Sequence, residues 1–239
     1  MDTAPVAPGS IAPPFGRRFL ERYAGRHALL EHEAKEIVRQ TGLPVPRGIF
    51  IGRGEPVAPP PGVPYPLVAK VSAAGISSKS ELRGVRTGLK DEEELRAAAA
   101  DLMAISGAEG VLVEETAPSG VEVIAGGIND IQFGPVVMFG MGGVLVELLR
   151  DSSFALAPLS RADALWLIRQ SRGRPLLEGY RGTPPVDREA LLRILLAVSD
   201  IMATGMVEEV DLNPVALYPE GAMILDAKLL LRHSDTAAR

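Results

Sequence analysis

The chain has 239 residues, 46% hydrophobic and 23% charged, with a formal net charge of −5. That is enough apolar material for one sizeable core or two small lobes sharing a cleft, and the acidic balance argues against a nucleic-acid groove or an anionic membrane surface as the main partner. Cysteine is absent, which excludes disulfides and thiolate metal sites. No apolar run reaches the roughly 18 to 20 residues of a membrane span and no secretory core opens the chain, so a cytoplasmic protein is expected.

Residues 1–26 begin with Pro5, Pro8, Pro13 and Pro14 among small residues and are expected to form a disordered leader. Leu30, Ala34, Ile37 and Val38 then recur at helical spacing, with Gly42 as the stop. A strand over Gly48–Gly52 and a proline-dense loop over Glu55–Pro66 lead into the short apolar strand Leu67–Val71. Asp91–Ser106 opens with an acidic turn and continues as a helix. Val111–Glu114 and Val121–Gly127 read as two strands joined by a tight turn over Ala117–Gly120.

Further on, Val136–Phe139 is a buried strand, followed by the glycine-rich turn Gly140–Gly143 and the apolar run Val144–Leu149. Helices are expected over Arg161–Gln170 and Arg188–Met202, the second opened by Asp187 after Pro184 and Pro185. Val207–Leu217 and Ala222–Leu229 form strands around the turn Tyr218–Gly221. This order lacks the strict βαβ period of a doubly wound sheet, and an α+β fold of two lobes with a cleft between them is the expected class.

Several chemistries are excluded. There is no G-x-x-x-x-G-K-[ST] loop, and Gly140–Gly143 lacks the spacing of a dinucleotide fingerprint. The only histidines are His27, His32 and His233, which give neither a metal-ligand pair nor a Ser-His-Asp set.

Three positive signals remain. Lys70 closes an apolar strand and can project its ammonium into a cleft toward phosphate oxygens; a lysine reaching to solvent would look the same. The polar loop after it, Ser77–Val85, with Ser78 and Lys79, can cover a polyphosphate or be an ordinary solvated loop. Period-2 alternation puts Asp211 and Asn213 on one strand face, and the following turn can fold Asp226 back beside them, giving the oxygen donors Mg²⁺ accepts; an Asx turn before Pro214 is the alternative. Glu114, Glu115 and Glu122 can meet a base and ribose, or simply be solvated strand-end acids.

The segments Val68–Ser72, Lys79 and Ser80, Val111–Glu115, Gly120–Ile124, Gln132–Gly143, Ser153 and Phe154, Ala157–Leu159, Pro175–Gly182 and Asp211–Pro214 occur in one order along the chain. As a series they resemble the beta subunits of ADP-forming acetate-CoA ligases. The start, Glu33–Glu36 with Gly42–Pro46, is similar to the succinyl-CoA synthetase beta subunit, a more distant relative.

The resemblance implies an ATP-grasp fold, with an N-terminal lobe over 27–115, a C-terminal lobe carrying the metal site over 116–232 and a tail over 233–239. It also implies an acid-CoA ligase reaction in which acyl-CoA, ADP and phosphate give acid, CoA and ATP through phosphohistidine. The CoA-binding alpha subunit carrying that phosphohistidine would be a separate partner in a hetero-oligomer, with no nucleic acid and no membrane involved. By the same resemblance Lys70 and Lys79 serve phosphoryl transfer and Asp211 supports it. Glu114, Glu115, Glu122, Gly142 and Gly143 surround the nucleotide (ATP or ADP), and Asn213 with Asp226 hold Mg²⁺.

The sequence departs from the family at the loop H-K-S-D-x-G-G-V, whose histidine is a second phosphoryl carrier: Ser78 stands there, Glu81 replaces the aspartate and Arg83 a glycine. Asn129 stands where close relatives carry arginine. A serine without an adjacent base is a poor relay. Two readings therefore stand, a ligase subunit with a modified transfer route and a catalytically impaired ATP-grasp protein that binds nucleotide or a partner in a regulatory role. A third, an ATP-grasp ligase joining an acid to an amine or thiol, would need an acid pocket the sequence does not announce.

Overall fold

The computed structural model describes residues 20–74, 83–143 and 151–232. Helices α1 (Glu31–Gln40), α2 (Glu92–Met103), α3 (Arg161–Gln170), the single turn α4 (Arg174–Leu177) and α5 (Arg188–Ala203) accompany ten strands. A four-stranded antiparallel sheet is built in the order β1 (Gly48–Gly52), β4 (Gly110–Glu115), β2 (Leu67–Ser72), β3 (Val85–Leu89). The larger sheet runs β10 (Ala227–Leu231), β8 (Val207–Leu217), β5 (Val121–Asp130), β6 (Gly134–Met141), β7 (Ser152–Leu156), with β9 (Ala222–Ile224) added beside β8.

Each sheet buries one face under a helix. In β2 the odd positions Leu67, Ala69 and Val71 join Leu95, Ala99 and Leu102 of α2 in the smaller core, as period-2 alternation requires. In the larger sheet Val123, Ala125, Val137 and Phe139 pack against α5, whose Leu192, Leu195 and Val198 are fully buried. The helix starts are capped by side chains: Asp91 accepts from Glu94 N at 2.9 Å, Ser160 and Asp163 form a reciprocal box, and Asp187 accepts from Ala190 N at 2.9 Å. Asp187 also accepts from Gly221 N at 2.9 Å, which ties α5 to the turn between β8 and β9. Among the described residues no helix is long and apolar enough to cross a membrane.

The structure differs from the sequence expectations at several points. Strand β3 lies where a loop ran toward the next helix; only Val85 and Leu89 are apolar in it, and Gly88 sits at a φ of 71°. Strand β7 is an edge strand that pairs only with β6, and its hydrophobic residues Phe154 and Leu156 are exposed, so it carries no burial pattern. Strands β4 and β5 do not form a hairpin, because Thr116–Gly120 carries the chain from one sheet to the other.

Residues 20–26 are ordered rather than part of a leader: Leu20 is buried in the larger core, and the Arg26 guanidinium holds Glu33 at 2.5 Å. The core also divides the chain differently at the start. Leu29, Ala34, Ile37, Val38, Leu43 and Val45 pack with the larger sheet, so α1 belongs to that body and not to the small lobe expected over 27–115. The expected leader start, the polar loop over 75–82 with Ser78, Lys79 and Glu81, the run Val144–Leu149 and the tail over 233–239 lie outside the described residues.

Arg83, where the resemblance places a glycine, has a φ of 50°. A side chain there strains the left-handed backbone, which glycine accepts freely. Arg83→Gly is expected to raise stability by about 0.5–1 kcal/mol, net of the extra entropy glycine gives the unfolded chain. An upward shift in the urea midpoint at unchanged slope checks this.

Candidate functional site

Between the two sheets lies a cleft of about 540 Å³. One wall is the face of β2 opposite its core: Val68, Lys70 and Ser72 alternate with the buried odd positions and all border the cleft, with Val85 and Thr87 of β3 and Glu114 of β4 beside them. The opposite wall is the edge of the larger sheet. There Asp211 and Asn213 of β8 share the face opposite the buried Val210 and Leu212. Pro214 has no N–H to offer a ladder, and across from it β9 and β10 are separated by Leu225 and Asp226. Asn213 N donates to Asp226 O at 3.3 Å and Leu225 N to Pro214 O at 3.0 Å, which holds Asp226 next to Asn213 at the cleft.

The centre of the cleft is an ion cluster that joins the two bodies. Lys70 Nζ lies 2.9 Å from Glu31 Oε1 and 3.0 Å from Glu114 Oε2, and it donates to the Leu225 carbonyl. Lys35, 2% exposed, places its Nζ 2.8 Å from Glu31 Oε1 and 2.6 and 2.7 Å from the two Glu114 oxygens, and donates to the same Leu225 carbonyl at 2.7 Å. Glu31 and Lys35 belong to α1 and the larger body, whereas Lys70 and Glu114 belong to the small sheet. His32 adds to this joint by stacking on Phe50 of β1 at 4.2 Å.

Burial works against the charge on Lys70, but the carboxylates of Glu31, Glu114 and Asp226 outweigh it and hold the ammonium above the ordinary lysine range. At Lys35 burial dominates and pulls the group below its ordinary value; Glu31 and Glu114 offset part of that, and the neighbouring Lys70 adds to the depression. The Lys35 Nζ lies within 2.8 Å of both carboxylates, so the geometry pairs it with Glu31 and Glu114.

Lys70, Glu114, Glu115, Asp211, Asn213 and Asp226 thus all border one hollow. Glu114 is not a solvated strand-end acid: it is 2% exposed and both its oxygens are taken by Lys35. Glu115 is half-buried and accepts from the Arg47 backbone N–H at 2.9 Å and from Arg47 Nε at 2.8 Å. Glu122, Gly142 and Gly143 are placed elsewhere. Glu122 and Gly142 border a second, smaller hollow of about 230 Å³ with Leu176 and Tyr180. A Cβ at Gly142 would lie 2.8 Å from the Glu122 carbonyl carbon, so that close approach requires glycine. Asn129, near the tip of the β5–β6 hairpin, does not border the main cleft.

Glu31, Lys35, Ser72 and Lys228 are among the cleft and cluster residues that escaped the sequence reading. Glu31 and Lys35 stand four apart on α1 beside its apolar stripe, a signal that could have marked a buried ion pair. Ser72 and Lys228 each follow a predicted site residue by two positions on a strand and therefore share its face. Ser72 Oγ is buried with no hydrogen-bond partner, and Lys228 is 2.9 Å from Glu209.

Comparison with known proteins places this geometry. The family model described as an ATP-grasp domain matches residues 21–231. The beta subunit of ADP-forming acetate–CoA ligase I from Pyrococcus furiosus is 38% identical over 217 residues, covering 87% of this chain and 94% of that subunit. The chain is also 40% identical to part of ADP-forming acetate–CoA ligase II from Archaeoglobus fulgidus, where the match covers 85% of this chain but 30% of that longer protein. A solved structure of dinucleotide-forming acetyl-coenzyme A synthetase 1 from Ca. Korarchaeum cryptofilum superposes with a TM-score of 0.73 at 40% identity, covering 91% of this chain and all of that one. That structure holds coenzyme A and Mg-AMPPCP, with a phosphohistidine segment pointing towards its nucleotide binding site. The chain belongs to the ATP-grasp family, in the group of beta subunits of ADP-forming acetate–CoA ligases.

Proposed function

We propose that this chain is the nucleotide-binding subunit of an ADP-forming acyl-CoA ligase, and that it moves a phosphoryl group between a phosphohistidine on a CoA-binding partner and ADP bound in the main cleft. The observation that carries this reading is the pairing of Lys70 on one sheet with Asn213 and Asp226 on the other across a single hollow. Lys70 holds the phosphates as a fixed positive charge on one wall of the cleft. In the forward direction the P–N bond to the partner's imidazole breaks as the P–O bond to the ADP β-phosphate forms. Such a transfer needs alignment and charge neutralisation more than covalent help.

Magnesium fits the donor set. Among the described residues no cluster of three or more His, Cys, Asp or Glu side chains forms a cage of its own. Magnesium is commonly held through one or two carboxylates together with substrate phosphates, and Asp226 and Asn213 offer such hard oxygens at the cleft, with Asp211 beside them. When bound, the ion would neutralise the polyphosphate charge that Lys70 alone cannot.

Glu115 and the Thr116–Ala117 backbone, at the cleft rim, are the groups best placed to meet base and ribose. Glu114 instead holds the two lysines. Glu122, Gly142 and Gly143 would reach the nucleotide only if it extends toward the second hollow. Lys79, with Ser78 at the relay position, would serve the phosphoryl transfer that the family resemblance implies.

The test is co-expression with a CoA-binding alpha subunit from the same organism, followed by an assay for ATP from acyl-CoA, ADP and phosphate. Turnover supports the ligase, and Ser78→His is expected to raise its rate by restoring a relay imidazole. A stable complex that binds ADP but forms no ATP, with or without the histidine, would contradict the ligase and favour the regulatory reading that Ser78 suggests.

A further inference from the structure

We propose that Lys35 is a positioning residue for nucleotide binding, acting as the buried counter-charge that leaves the Lys70 ammonium available to a polyphosphate. This rests on the nucleotide reading of the main cleft. Glu31, Glu114 and Lys70 border the cleft and Lys35 does not; it lies behind the wall they form, 2% exposed. The cluster contains two carboxylates and two ammoniums, all linked by contacts of 2.6–3.0 Å. Its net charge is zero only because Lys35 is there. Without it, two carboxylates would close on Lys70 and present an excess negative charge beside Asp226, and a polyanion entering the cleft would be repelled.

The second function of Lys35 follows from the same contacts. It holds both Glu114 oxygens, one Glu31 oxygen and the Leu225 carbonyl, so Lys70 shares with it every group within direct contact that the cluster supplies, Glu31, Glu114 and Leu225. A phosphate can then replace part of the Lys70 shell without stranding a buried carboxylate, a replacement that would otherwise be costly.

The experiment is calorimetric titration of ADP with Mg²⁺ into the full chain and three variants. Lys35→Met is expected to weaken ADP binding about tenfold or more. Glu31→Gln, which shifts the balance the other way by removing one negative charge from the cleft wall, is expected to tighten ADP binding. The double variant, which restores neutrality, is expected within about threefold of the parent. A packing role for Lys35 predicts instead that the double variant binds at least as weakly as Lys35→Met, and that result overturns the proposal. If Lys35→Met does not fold, the double variant carries the test, and loss of ADP binding in it while it remains folded overturns the proposal equally. If the parent chain itself fails to bind ADP, the nucleotide reading fails first, and the two failures are distinguished.

Discussion

Glu114→Ala is expected to cost about 3–5 kcal/mol of stability, because it strands two buried ammoniums on a single carboxylate. In the intact protein Glu114 meets Lys35 through both oxygens and Lys70 through one, at 2.6–3.0 Å, and all three side chains are at most a tenth exposed. The loss would reach beyond β4. Glu114 sits on the small sheet and Lys35 on α1, which packs into the larger core, so the pair holds the two bodies together as well as neutralising each other. Urea unfolding reads the effect directly: a midpoint lowered at unchanged slope is the expected outcome, and a change under about 1 kcal/mol would mean that water already screens the cluster.

Lys70→Ala is expected to weaken ADP binding about 30- to 100-fold, the equivalent of roughly 2–3 kcal/mol for charge-assisted contacts to phosphate. The carboxylates of Glu31, Glu114 and Asp226 keep Lys70 fully charged, so its contribution should persist across the neutral range. Added salt should weaken binding in the parent chain more than in the variant, since part of the attraction is long-range. Calorimetry on the folded variant checks this; an unchanged affinity would remove Lys70 from the phosphate site.

Much of this architecture was legible from residue spacing. The apolar run before Lys70, the period-2 alternation of Asp211 and Asn213 and the turn that returns the chain to Asp226 are all local signals, and the structure places these residues on one cleft. Helix starts at Asp91 and Asp187 were readable because capping is a local signal. What escaped depends on partners distant in sequence. Lys35 lies 79 residues from Glu114, and nothing in α1 announces that its charged stripe meets another sheet. The exposed edge strand β7 and the short β3 lack the burial that makes a strand visible. The course of Thr116–Gly120 between sheets could not be told from a hairpin turn, since both need the same small and proline residues.

A crystal structure of the chain with ADP and magnesium would decide whether the two bodies share one polyphosphate. Diphosphate density between the Lys70 ammonium and the side-chain oxygens of Asn213 and Asp226 is the expected result. Nucleotide seated only in the smaller hollow beside Glu122 and Gly142, with Lys70 still held by Glu31 and Glu114 alone, would contradict it.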